Sequence, residues 1–210
     1  MFIELLDGLR CVADHAQIPL VAAILERDER FVMRGILGCP TCRREYQITD
    51  GMAWFREQSN SGQARESMAK SSPRDGEGAV RIGAFLAVAD GATVALVGDW
   101  ARYAIELSEL VGLRAYAVNP CEPIGESERV GVLYADYRLP VTDGSLRGVA
   151  VDESGWSEGD LQLAARALSP GGRMVAPATS PVPVGMEEIA RDDRWWIGEK
   201  RGPLVTLHRR

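Results

Sequence analysis

Residues 91–118 read GATVALVGDWARYAIELSELVGLRAYAV. Thr93–Val97 is a short apolar run held between Gly91 and Gly98, as expected for a strand buried on both faces. Ala101, Ala104, Ile105, Leu107, Leu110 and Val111 then recur at helical spacing over 100–111. Gly112 ends that helix as a C-terminal cap. Arg114–Val118 is a second strand. A strand, a helix and a strand in this order make the repeating unit of a parallel sheet.

The same alternation extends outward. Arg81–Ala89 reads as a helix upstream, and Val130–Ala135 and Gly148–Val151 read as strands downstream. Gly159–Leu168 reads as a helix that stops at Ser169-Pro170-Gly171-Gly172, and Arg173–Ala176 as the next strand. After Pro177, Pro181 and Pro183 a short helix is expected near Met186–Ala190. Two last strands, Arg194–Glu199 and Leu204–His208, are expected around a hairpin turn at Lys200-Arg201-Gly202-Pro203. The fold class is α/β: a Rossmann-like parallel sheet with helices on both faces, closed by an antiparallel hairpin.

Residues 57–78 break the apolar pattern. Only Ala64, Met68 and Ala69 are apolar there, too little to offset the entropy of ordering the segment. It reads as a linker with a short helix around Ala64–Lys70. The expected organisation is therefore 1–56, a linker over 57–78, and an α/β unit over 79–210, without internal repeats.

Composition narrows the function classes. Of 210 residues, 46% are hydrophobic and 26% charged, which supplies a core and excludes disorder of the whole chain. No run approaches the length of a membrane span. The start, Met-Phe-Ile-Glu-Leu-Leu-Asp, has no basic region ahead of an apolar one, so a cytoplasmic setting is expected. With 24 basic and 30 acidic residues the net charge is -6, which disfavours general nucleic-acid binding. Arg43-Arg44 and His208-Arg209-Arg210 read as solvated surface.

Four cysteines are too few for a disulfide framework, but their placement suits a metal. Leu37-Gly38-Cys39-Pro40-Thr41-Cys42 forms a knuckle whose tight turn aims backbone amides at the sulfurs. Cys11 supplies a third ligand. His15 is preferred as the fourth, because zinc already held by thiolates favours imidazole over a lone carboxylate; Asp14 stands behind it. The bland alternative makes Cys11 a core residue and His15 a surface one. The redox reading of Cys-x-x-Cys fails, since no thioredoxin-like unit surrounds it.

These residues carry a resemblance. Leu5-Leu6-Asp7-Gly8-Leu9-Arg10-Cys11, with the knuckle and its tail Tyr46-Gln47-Ile48-Thr49-Asp50-Gly51, is similar to the short zinc-ribbon proteins that activate methyltransferases. It departs from them at Gln47, where proline is usual, and at Asp14, where they often have the fourth cysteine. The resemblance implies a ribbon that does no chemistry and instead binds and stabilises a methyltransferase partner.

The remainder resembles the class I, S-adenosylmethionine-dependent methyltransferases. Asp136-Tyr137-Arg138-Leu139-Pro140-Val141-Thr142-Asp143-Gly144-Ser145-Leu146 and Arg166-Ala167-Leu168-Ser169-Pro170-Gly171-Gly172 carry it. It implies a cofactor site at Gly98, Asp99, Asn119 and Asp136. The glycine-rich loop of that family is here Gly98-Asp99-Trp100-Ala101-Arg102, with one glycine left. The acidic residue that binds the ribose is replaced by Asn119, followed by Pro120. Asp152 or Glu153 is a candidate polar catalytic group, although a solvated turn is the preferred reading. Cys121 reads as a loop residue, and a Ser-His-Asp triad would need His208.

The expected function is a structural or regulatory subunit of a protein assembly, with zinc bound and cofactor binding doubtful. Trp195-Trp196 either anchors a partner or packs on both sides of a strand. The alternatives are a working methyltransferase acting on RNA, protein or a small molecule, and a site for a different ligand at Asp99, Arg102 and Asn119.

Overall fold

The computed structural model describes residues 1–56, 76–136, 138–153 and 156–202. The expected helix around Ala64–Lys70, the strand Leu204–His208 and His208 itself lie outside these residues, as does the expected linker save 76–78. Strands β1 (Val21–Asp28), β2 (Phe31–Gly38), β3 (Glu45–Thr49) and β4 (Met52–Trp54) form an antiparallel meander. Then follow α1 (Gly78–Leu86), β5 (Thr93–Val97), a 3-10 segment Gly98–Tyr103, α2 (Ala104–Val111), β6 (Arg114–Val118) and β7 (Val130–Tyr134). The chain continues through β8 (Leu146–Ala150), α3 (Glu158–Ala167), β9 (Leu168–Pro177), β10 (Met186–Arg191) and β11 (Trp195–Lys200).

All eleven strands belong to one sheet, ordered β1-β2-β3-β4-β7-β6-β5-β8-β9-β11-β10. The central strands β7, β6, β5, β8 and β9 are parallel, and the order reverses at β5. This is a doubly wound, Rossmann-like α/β sheet, whose crevice opens beyond the carboxyl ends of β5 and its neighbours. Successive side chains point to opposite faces. Val94 and Leu96 pack into one core cluster with Ile82, Leu86 and Leu107, while Ala95 and Val97 enter another with Leu133 and Leu161. Burial on both faces explains why 94–97 of β5 and 115–118 of β6 are continuously apolar. Each fully buried Val or Leu contributes about 1.5–3 kcal/mol.

Ends of elements follow local chemistry. Gly112 caps α2 in the left-handed region at φ 81°, as its position suggested. Ala87 does the same at φ 47°, so α1 stops at Leu86 and not at Ala89. Ser157 and Asp160 form a reciprocal capping box at the start of α3. One expectation is corrected. Residues 186–191 form a strand, because their backbone pairs antiparallel with β11 and this tertiary ladder outweighs local propensity. Among the described residues the antiparallel hairpin is β10–β11, turned at Asp192, whose Oδ1 accepts from the amides of Arg194 and Trp195 at 2.7 Å each.

The amino-terminal meander joins the α/β unit as a continuation of the same sheet. Met52, Ala53 and Trp54 pair in parallel with Val132, Leu133 and Tyr134. Behind that seam, the Arg10 amide donates to the Pro140 carbonyl at 2.8 Å and the buried Tyr116 hydroxyl donates to the Leu5 carbonyl at 2.9 Å. Burial pushes the Tyr116 hydroxyl up to about 12, so it stays a donor at neutral pH.

Candidate functional site

Cys11, His15, Cys39 and Cys42 converge, with one ligand atom from each within 4.8 Å of all the others. Among the described residues this is the only such group of His, Cys, Asp and Glu side chains. Cys11 Sγ lies 3.6 Å from Cys42 Sγ, and Cys39 Sγ lies 3.4 Å from His15 Nε2. A tetrahedron built on usual zinc–sulfur and zinc–nitrogen bonds has edges of about 3.7 and 3.5 Å. The residues therefore fit a zinc ion. Asp14 is exposed and stands outside the group, lining a separate cavity.

Local structure aims each ligand. The knuckle closes through the Cys39 amide donating to the Arg44 carbonyl at 2.8 Å, with Arg43 in the left-handed region at φ 59°. His15 Nδ1 faces the Ala16 carbonyl at 2.7 Å. Only a protonated Nδ1 can satisfy that oxygen, which leaves the Nε2 lone pair for a metal. The Ala13 amide donates to Cys11 Sγ at 3.4 Å.

Burial pushes the Cys11 thiol up, while its hydrogen bond to Tyr46 lowers it. A backbone hydrogen bond at Arg44 brings the Cys42 thiol down. Sequence reasoning missed two supporting side chains. The Tyr46 hydroxyl sits 3.1 Å from Cys11 Sγ, and burial pushes that hydroxyl up. Arg138, from beyond β7, donates to the carbonyls of Val12 and Ala13 at 3.2 and 3.1 Å, gripping the loop between Cys11 and His15. Tyr46 was visible in the Tyr-x-Ile-x-Asp-Gly tail; Arg138 had no local signal.

Where β5, β6 and β8 end, part of the crevice is taken up by the protein's own side chains, with a cavity of about 310 Å³ beside Asp152. Gly98 adopts φ 61°, and a Cβ there would overlap the Asp152 carboxylate. Asp152 Oδ2 accepts the Asp99 amide at 2.8 Å, and Asp99 Oδ1 pairs with buried Arg102 at 2.8 Å. Asn119, itself at φ 49°, spends its amide on the neighbouring strand. Its Nδ2 donates to the Ala135 carbonyl at 2.6 Å, and its Oδ1 accepts the Ala135 amide at 3.1 Å. Trp100 is buried with its ring 5.0 Å from that of Trp195.

Cys121 lies near this cluster. Burial, with Asp152 and Asp99 close by, pushes its thiol up to about 11, the wrong direction for a nucleophile. Gly98 and Asn119 follow the paired residues Val97 and Val118, so Gly98, Asp99 and Asn119 lie at the ends of neighbouring strands, while the hydrogen bonds of the Asn119 amide run to Ala135. Asp136 is exposed and lines a cavity of about 440 Å³ with Val12, Asp14, Phe55, Arg138 and Leu163. Glu153 is exposed, 3.9 Å from Arg194. The tryptophan pair packs on both sides of β11. Trp196 is fully buried and donates to Ser180 Oγ at 3.0 Å, and Trp195 lies against Trp100, so neither stands out as an anchor.

No helix is long and apolar enough to cross a membrane among the described residues. No protein-family model matches the chain, and no curated protein matches it in sequence. Similar solved structures include a complex of the Haloferax volcanii Trm112 methyltransferase activator, at 23% identity and TM-score 0.44 over 56% of this chain and 57% of that one. A Thiobacillus denitrificans SAM-dependent methyltransferase in complex with S-adenosyl-L-homocysteine is similar at 19% identity and TM-score 0.41, over 58% of this chain and 54% of its own. A Geobacter sulfurreducens SAM-dependent methyltransferase, also with S-adenosyl-L-homocysteine, is similar at 20% identity and TM-score 0.41, over 54% of this chain and 52% of its own. This chain spans little more than half the length of each. The fold class follows from the strand order, independently of these likenesses.

Proposed function

We propose that this protein is a non-catalytic structural or regulatory subunit of a larger protein assembly, a zinc ribbon fused to a methyltransferase-like unit that has lost its cofactor pocket. What supports this reading is that the protein's own groups occupy the part of the crevice around Gly98 and Asn119. Asp152 covers the backbone at Gly98, where a cofactor would need close approach, and Asn119 has both ends of its amide committed to Ala135. These residues do not fit S-adenosylmethionine.

Zinc, held by Cys11, His15, Cys39 and Cys42, belongs to the same reading, as does the division into a ribbon over 1–56, a linker and an α/β unit. In this reading the ribbon serves its own chain. The strand it offers, β4, is paired with β7 of the unit it stabilises. The setting assigned is the cytoplasm, where a reducing poise keeps thiols available for metal; the four cysteines are all free. Protein partners then engage the assembled whole.

Titration with S-adenosylmethionine by calorimetry, with metal content measured on the same sample, tests the reading. Expected are one zinc per chain and no cofactor binding up to about 1 mM, the weakest range such a titration reads. Micromolar binding overturns it in favour of an active S-adenosylmethionine-dependent methyltransferase working beside Asp136.

A further inference from the structure

Of the seven large apolar side chains that stand exposed among the described residues, three lie in one strand: Val21 and Leu25, each 65% exposed, and Ile24, 38% exposed. With Ala22 and Ala23 they make an uncharged run at the start of β1. All eight residues of β1 are exposed, so neither face of the strand is covered. β1 is also an edge of the sheet. Among the described residues it pairs with β2 alone, and the amides and carbonyls of its outer side have no strand to meet.

Sheets usually blunt such an edge with charge, proline or a bulge. The opposite edge, β10, carries Glu187, Glu188 and Arg191. The first half of β1 carries none of these. Its pairing with β2 is regular from Val21 to Ile24; the bulge falls at Leu25, and Glu26, Arg27 and Asp28 come only after it. An unpaired row of amides and carbonyls fits another extended backbone, and uncharged side chains on both faces call for an equally uncharged strand.

β1 is itself such a strand. Turned antiparallel about a two-fold axis through Ala23, a second copy sets Ala23 opposite Ala23 and each Ala22 opposite the other's Ile24, with Val21 and Leu25 at the ends of the ladder. Residues directly opposite share a face, so small side chains meet large ones on one side and two small ones meet at the axis. Glu26 and Arg27 of each copy then pass beyond the apolar run, toward Leu20 and Pro19 of the other, and no like charges stand opposed. One such contact uses up the free edge of both copies, and the charged β10 edge offers no place for a third.

We propose that the β1 edge is the interface between two copies of this chain, joined antiparallel through Val21–Leu25 into one continuous sheet across a two-fold axis. The interface is separate from the crevice at β5 and holds whether or not that crevice takes a cofactor.

Sedimentation velocity of the full chain from about 1 to 200 µM, the range in which a small interface associates, tests it. A passage from monomer to dimer is expected, with no larger species. Ala23→Lys and Ala23→Glu each put like charges face to face at the axis, and each is expected to weaken association about tenfold or more. An equimolar mixture of the two variants is expected to restore the dimer, because Lys then faces Glu; that rescue also shows that both variants fold. A chain that stays monomeric up to about 200 µM, a dimer indifferent to Ala23→Lys, open-ended oligomers, or two weakened variants that mixing does not restore would each overturn the proposal.

Discussion

The Asp152 carboxylate lies against Gly98 and accepts the Asp99 amide at 2.8 Å, joining the turns that follow two neighbouring parallel strands. In an α/β sheet those turns flank the usual ligand crevice. Here one of them supplies the plug. The arrangement works only because residue 98 has no side chain and sits at positive φ.

Gly98→Ala is therefore expected to destabilise the fold by about 2–4 kcal/mol, from backbone strain together with the collision. Asp152→Ala alone should cost about 1–3 kcal/mol by leaving the Asp99 amide without its acceptor. Since the collision partner is gone, the double variant should cost less than the two singles added. Denaturant unfolding of the four proteins measures that coupling.

Removing metal tests the Cys3His group. A chelator is expected to lower the unfolding temperature and added zinc to restore it, because metal bound only by the folded state stabilises by about 4 kcal/mol at a thousandfold excess over Kd. Cys39→Ser should abolish the response. Tyr46→Phe, which deletes the hydroxyl beside Cys11 Sγ, should weaken zinc about tenfold while keeping the fold.

Arg138→Ala removes the grip on the Val12 and Ala13 carbonyls. Zinc affinity is expected to fall about tenfold, as it does when an outer partner of a metal site is lost. The readout is competition with a chromophoric chelator. Unchanged affinity would show that the ligand loop holds its shape without Arg138.

Cys121 supplies a pH signature. Its folded thiol is pushed up to about 11, above its ordinary value of 9.0. A group raised in the folded state contributes stability that is complete below the unfolded value and is lost as pH climbs through the folded one. The window is thus about 9 to 11. Replacing Cys121 with Ser should flatten the stability profile across that window. With zinc bound, alkylation of native Cys121 at pH 8 should run about tenfold or more slower than that of a free thiol.

Much of this was legible in the chain, for identifiable reasons. Thr93–Val97 and Arg114–Val118 match their observed strands because strands buried on both faces write their burial directly into sequence. The convergence of Cys11, His15, Cys39 and Cys42 was legible because a zinc site dictates residue type and spacing. Residues 186–191 were misread because MEEIAR has no strong local preference and owes its strand to β11. Trp100 and Arg102 signalled a changed loop, but not what fills the crevice. That depends on Asp152, far along the chain, and on an αL turn at Asn119 that local rules do not predict.

The pairing of β4 with β7 has a stoichiometric consequence. A ribbon tethered to the sheet it joins meets it at an effective concentration in the millimolar range, whatever the cellular supply of either part. Among the described residues the sheet's two outer edges, β1 and β10, differ. Glu187, Glu188 and Arg191 guard β10 with charge, whereas β1 opens with the unguarded, exposed run Val21-Ala22-Ala23-Ile24-Leu25. Recruitment by strand addition would therefore start from the ribbon's far side, and the fused module would present one hand outward while the other stays clasped to itself.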